Sequence, residues 1–84
     1  MRHTLKTWPV YYWDVVVGAK TFEIRRNDRN FKVGDELVLR EYDPDKEVYT
    51  GEEIIVYVDY IVSTDGLPGI SEGLCAMSIS PYAK

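Results

Sequence analysis

Residues 18–31 read GAKTFEIRRNDRNF. From Lys20 to Arg26 the segment alternates with a period of two, the period of a β-strand, whose successive side chains point to opposite faces. Phe22 and Ile24 share one face, while Thr21, Glu23 and Arg25 share the other. The reading is a strand with one wet face, whose charged side chains project together with Lys20 into a hollow between the strand and the preceding helix. Residues 27–30 (NDRN) are turn chemistry, because Asn and Asp bond their own main chain and tolerate tight geometry. Asp28 is expected to cap that turn with Arg29 paired to it. The stretch also concentrates charge. Lys20, Arg25, Arg26 and Arg29 stand against Glu23 and Asp28 in a chain whose net charge is −4.

Upstream, residues 3–7 (HTLKT) alternate weakly and are read as a short first strand. Residues 8–18 (WPVYYWDVVVG) come next. Pro9 suits the first turn of a helix, where its missing N–H is no loss. Gly18 suits the position just past a helix C-terminus. Val15, Val16 and Val17 are β-branched and favour a strand. Pro and Gly nevertheless bracket the segment in the order that helix ends require, so a helix of about two turns is predicted. Trp8, Tyr11, Tyr12 and Trp13 cannot all face the core from so short a helix. Tyr12 and Trp13 are assigned to the core, and Trp8 either staples the helix entry or lines a cleft.

Downstream, Val33-Gly34-Asp35 reads as a tight turn, with Leu37 and Leu39 facing inward along the next strand. Residues 43–53 (DPDKEVYTGEE) read as a hairpin connection. Residues 53–63 (EIIVYVDYIVS) form the longest predicted strand, with Ile54, Val56, Val58, Tyr60 and Val62 as an unbroken apolar face. Residues 64–73 are a loop, and residues 74–80 (LCAMSIS) a last strand. The sum is about five strands and one short N-terminal helix in a single domain, residues 1–84, of mainly β, α+β class. A small sheet must close on itself or cover its edges. A strongly bent β-barrel with the helix plugging one end meets that demand.

Composition bounds the function. The chain has 84 residues, 45% of them apolar, which supports a packed core near the small end of what folds unaided. It has one cysteine, Cys75, and one histidine, His3. No internal disulfide can form, and a structural zinc site lacks ligands. No run approaches the roughly 18 apolar residues of a membrane helix, and no signal-peptide pattern opens the sequence. A soluble, cytoplasmic protein is expected, with no metal, no cofactor and no membrane partner, and with a monomer as the default. Charge is uneven along the chain. Residues 1–40 carry eight Lys/Arg against five Asp/Glu, and residues 41–84 carry two against nine. Such asymmetry points to a polar ligand or nucleic acid on the basic side, unless folding interleaves the halves.

The candidate site gathers around the opening stretch. Lys20 stands where helix hands over to strand; its ammonium can meet a phosphate or carbonyl, or act as a base if desolvated. Glu23 and Arg25 share a strand face. They either pair structurally or present an acceptor and a donor fork to a ligand, with Thr21 beside them. Arg26 and Arg29 in the following turn are either solvated or hold phosphates. Lys6 and Trp8 precede the helix, and an aromatic ring beside a basic strand is how a single-stranded base is gripped. His3 is left open between ligand and backbone. Cys75 reads as a buried strand residue.

The order of these motifs resembles the ASCH domain, a member of the PUA-like group of small β-barrels. Its Gly-x-Lys-x-x-Glu-x-Arg hallmark is met by Gly18, Lys20, Glu23 and Arg25. The flanking residues 3–9 (HTLKTWP) and 25–44 (RRNDRNFKVGDELVLREYDP) are similar to a branch of short ASCH-type proteins from phages and bacteria. The resemblance covers nearly the whole chain. It implies a β-barrel with a cleft between helix and hallmark strand, binding RNA or a nucleotide through Lys6, Trp8, Lys20, Thr21, Glu23, Arg25, Arg26 and Arg29. One group of the family hydrolyses N4-acylated cytidine, which would make Lys20 the base and Glu23 the proton carrier. That group has Thr at the position of Glu23 and a further Glu after the long strand, where this chain offers Glu72. A protein-interaction module docking through the acidic half is the third expectation.

Overall fold

A computed structural model describes residues 1–82. Five strands and one helix run in the order β1 (Arg2–Thr7), α1 (Pro9–Val16), β2 (Phe22–Arg26), β3 (Glu36–Asp43), β4 (Val48–Ser63) and β5 (Leu74–Ser80). The strands form one sheet in the order β1-β3-β4-β5-β2. The sheet curls into a half-barrel, so the mainly β class with one short helix is as the sequence predicts. β1 and β3 are parallel, whereas the other neighbours are antiparallel. A parallel pair needs a long crossover, and here the crossover contains both α1 and β2. β2 is thereby carried to the far edge of the sheet.

The helix forms where Pro and Gly bracket it. Pro9 occupies the first turn, and the carbonyl of Trp8 accepts from the amides of Tyr11 and Tyr12 at 3.0 and 2.9 Å. Past the last turn, Gly18 takes φ 81° and donates to Val15 O. The β-branched run at its end is tolerated because Val15 is buried against the sheet with Tyr12, and tertiary packing outweighs weak helix propensity. Trp13, expected in the core, is instead 46% exposed. An eight-residue helix presents one narrow stripe inward, and Tyr12 and Val15 fill it.

The concave face of the sheet is lined by Leu5, Leu37, Leu39, Val56, Val58, Cys75, Met77 and Ile79, all buried, with Phe31 and the two helix residues over them. Two irregularities correct the sequence reading of β4. The hairpin turn is confined to residues 44–47, because Asp43 accepts from the amides of Asp45 and Lys46 and closes it early. Residues 48–53 therefore belong to β4 rather than to a loop, with Val48, Tyr49 and Glu53 paired to β3 and the register shifting between them. The apolar face is also not unbroken. The ladder with β5 slips between Val58 and Tyr60, a bulge at Asp59 that rotates the remainder of the strand. Tyr60 turns outward and is 64% exposed, while Ile61 packs against the core instead.

At the start of β1, Asp35 acts as a tie. Its carboxylate accepts from the Met1 ammonium at 3.1 Å and from the Lys32 amide at 3.0 Å, and shares a 2.8 Å hydrogen bond with His3 Nε2. His3 is buried, so its contact is with this carboxylate. Burial opposes the charged carboxylate of Asp35. The bonds from His3, Lys32 and the terminal ammonium outweigh that and hold it below its ordinary value. A carboxyl whose folded pKa is lowered adds stability that is complete above its unfolded value and is lost as pH falls through the folded one. Asp35→Asn is expected to lower unfolding free energy near neutral pH. Its deficit relative to wild type should shrink as pH falls below about 4, as read from urea denaturation at several pH values. Gly18→Ala meets no atom within 4 Å, so only the left-handed backbone opposes it. A loss of about 1 kcal/mol is expected from the same denaturation measurement.

Candidate functional site

The register of β2 against β5 fixes which side chains share a face. Glu23 lies opposite Met77 and Arg25 opposite Cys75, and both of those partners are fully buried. Phe22 and Ile24 lie opposite Ser78 and Ala76, and are about half exposed. The alternation is as expected. The charged side of β2 turns into the concavity, and the apolar side turns outward. Period-two alternation separates two faces without saying which one is inside. Here the inner one carries charge because three ionic groups satisfy one another there.

Glu23 is 3% exposed. One carboxylate oxygen accepts from Lys20 Nζ at 2.5 Å and the other from Arg25 Nε at 2.8 Å. Lys20 and Glu23 meet because Lys20 precedes the regular strand, which begins at Phe22. The Lys20 backbone is tied to the helix end by a 2.9 Å bond from its amide to Asp14 O. The same residue's ammonium also donates to Phe22 O at 2.7 Å. Arg25 then reaches across the sheet opening, donating through Nη1 to Lys6 O at 3.1 Å and through Nη2 to Thr7 Oγ1 at 3.3 Å. Arg29 makes the parallel contact, Nη1 to Thr4 O at 2.8 Å. β1 and β2 are the two edges of the sheet. Arginines of one edge and its following turn thus bond the free carbonyls of the other. The expected pairing of Arg29 with Asp28 does not form, since Arg29 directs its guanidinium to β1 and no Asp28 ion pair occurs among the described residues.

Beside this seam lies an open cleft of about 470 Å³. Lys6, Lys20, Glu23 and Arg25 line it together with Thr7 and the rings of Trp8, Tyr11 and Phe22. Trp8 and Tyr11 are each about half exposed, so their faces remain open to a partner. The Lys6 ammonium sits 4.0 Å from the ring centre of Tyr42 and has no carboxylate partner among the described residues. The structure thus brings together Lys6, Trp8, Lys20, Glu23 and Arg25 of the sequence candidates. Thr21 is exposed outside the cleft, where its carbonyl accepts from Ile79 N. Arg26 and Arg29 line a smaller hollow of about 170 Å³ with Leu5, Asp28 and Phe31, and Arg25 forms part of both walls. Glu72, the second carboxylate that a hydrolase would require, does not line the cleft. Burial pushes the Cys75 thiol pKa up, which disfavours the nucleophilic thiolate. No group of three His, Cys, Asp or Glu side chains is placed to hold a metal ion among the described residues. No helix among them is long and apolar enough to cross a membrane.

Sequence reasoning did not single out Thr7, although its buried position at the end of β1 makes it the hydroxyl that Arg25 meets. The alternation of His3, Leu5 and Thr7 was the available signal, since all three prove to share the inner face.

Fold and site together define a small curled half-barrel with a basic, aromatic-lined cleft along its open seam. The chain belongs to the family described as Domain of unknown function (DUF3850), which it matches over residues 2–79. It is also similar to the crystal structure of a hypothetical protein, PH0355, with a TM-score of 0.65 and 20% identity over 98% of this chain and 100% of that one. At that identity the likeness shows a shared fold. No curated protein matches the chain.

The ionic cluster makes a stability prediction. Removing one member of a buried charge set strands the others, at a cost that reaches about 3–5 kcal/mol when all are dry. Lys20 and Arg25 are 16% and 25% exposed, so water offsets part of it. Glu23→Ala is expected to lower unfolding free energy by about 2 kcal/mol. Arg26→Ala, in an exposed position, is expected to leave it within about 0.5 kcal/mol. Denaturant titration of both variants checks the contrast.

Proposed function

We propose that the seam cleft binds single-stranded RNA, or a nucleotide within it, through stacking and charge. One observation carries this reading. Half-exposed rings of Trp8 and Tyr11 share a single hollow with the cations Lys6, Lys20 and Arg25. An aromatic face takes a base regardless of its identity, at about 1–3 kcal/mol per stacked base. The adjacent cations take the phosphate and set the salt dependence. Pre-positioning lowers the ordering cost on binding, and Arg25 is held at three points before any ligand arrives.

The ASCH-type hallmark gives independent support. Gly18 ends the helix, and Lys20, Glu23 and Arg25 converge on the cleft wall. The hydrolase alternative draws less from the geometry. Lys20 is engaged as a donor to two acceptors, an arrangement that presents positive charge rather than a free electron pair.

The test is fluorescence anisotropy with a labelled single-stranded RNA oligonucleotide at low and moderate salt. Wild type is expected to bind, weakening steeply as salt rises. Trp8→Ala is expected to weaken binding about tenfold or more, in line with the loss of one stacked base, while retaining its circular dichroism spectrum. A wild-type protein with no salt-sensitive binding to RNA or nucleotides removes the reading. Cytidine released from N4-acetylcytidine would replace it with the hydrolytic one.

A further inference from the structure

The smaller hollow next to the cleft has a composition of its own. Where the cleft offers rings, this one offers Arg25, Arg26 and Arg29, with Asp28 as its one carboxylate. The two hollows share Arg25 as a common wall. The two linings together include the cations Lys6, Lys20, Arg25, Arg26 and Arg29 and the carboxylates Glu23 and Asp28. The chain as a whole carries −4, so the surplus of positive charge is local to the seam.

The arginines are also spaced. Arg25 is pinned to the carbonyl of Lys6 and Arg29 to that of Thr4. These two carbonyls are two residues apart on β1, about 7 Å along an extended strand, a distance of the order of one nucleotide step. Each guanidinium has five N–H donors. Arg25 directs three of them to Glu23, Lys6 and Thr7, and Arg29 directs one to Thr4, which leaves donors on both for an outside acceptor. The Arg26 side chain is exposed and makes no hydrogen bond or ion pair within the described residues.

Resting on the nucleotide-binding reading, we propose that the two hollows form one track for a single-stranded polynucleotide. A base stacks in the aromatic cleft, the adjoining phosphodiester crosses over Arg25, and the next phosphate lies against Arg26 and Arg29. The ligand class is then an oligonucleotide of two or more linked nucleotides rather than a free nucleoside or mononucleotide. RNA and DNA share the phosphodiester chemistry, and the experiment separates them.

The test compares cytidine 5′-monophosphate, a dinucleotide, and single-stranded RNA and DNA octamers for binding to wild type, Arg26→Ala and Arg26→Glu by calorimetry and anisotropy. Arg26 is chosen because its side chain holds nothing else in the fold. Octamers are expected to bind at least tenfold more tightly than the mononucleotide. Arg26→Ala should weaken octamer binding about fivefold and reduce the magnitude of the salt slope by roughly 0.7, the share of one phosphate contact on a single strand. Arg26→Glu should weaken it further, while mononucleotide affinity stays unchanged in both variants. A preference for the RNA octamer assigns the track to RNA, and equal affinities assign it to single strands generally; either supports the track. Octamers that bind no better than the mononucleotide overturn the track and leave the aromatic cleft standing, as does an octamer salt slope unmoved by Arg26→Glu. Absence of binding by every probe overturns both readings together.

Discussion

Glu23 is a carboxylate almost without access to water, on an edge strand and facing the buried Met77 of β5. Taking such a charge out of water costs several kcal/mol unless partners are supplied with good geometry. Lys20 and Arg25 supply them, one to each oxygen. Both cations are thereby fixed in direction. Lys20 is drawn from the helix–strand junction toward β2, and Arg25 is aimed along the mouth of the half-barrel. From that position Arg25 meets the backbone of β1. The contacts that Arg25 makes across the seam thus start from the satisfying of one buried charge.

The sheet handles its two edges in an uncommon way. An exposed strand edge is a template for unwanted pairing. β1 and β2 do not join by a backbone ladder, yet the facing carbonyls of Thr4 and Lys6 are not left bare, because guanidinium groups occupy them. The opening that remains is lined by side chains, and side chains can vary in chemistry where a ladder cannot. This is how a chain of 84 residues keeps a packed core and still presents a polar hollow. The core ends where the seam begins, at the row occupied by Leu5, Phe31 and the β5 residues Cys75 and Met77.

Much of this is legible in the chain. Pro9 and Gly18 locate the helix, because each is suited to one end of a helix and not the other. Alternation locates the strands, and residues 18–25 locate the cleft. Other features are not legible, for different reasons. Alternation alone does not say which face of β2 is inward, since an amphipathic strand at a curled edge can turn its charges inward when they neutralise one another. Size alone assigns Trp13 inward, whereas the width of an eight-residue helix decides how many rings it can bury. The bulge at Asp59 depends on pairing with β5, a partner distant in sequence, so no local pattern announces it. The role of Asp35 is hidden likewise, because His3 lies 32 residues away.

The two ends of β1 are fastened by different chemistry. Near Met1 and His3 the fastening is a carboxylate, which acid can neutralise. Near Thr4 and Lys6 it is guanidinium on amide oxygen, a contact that contains no carboxylate. Acid therefore acts directly on the contacts at the Met1 end of the strand. The ladder with β3 runs the length of the strand and holds both of its ends to the sheet.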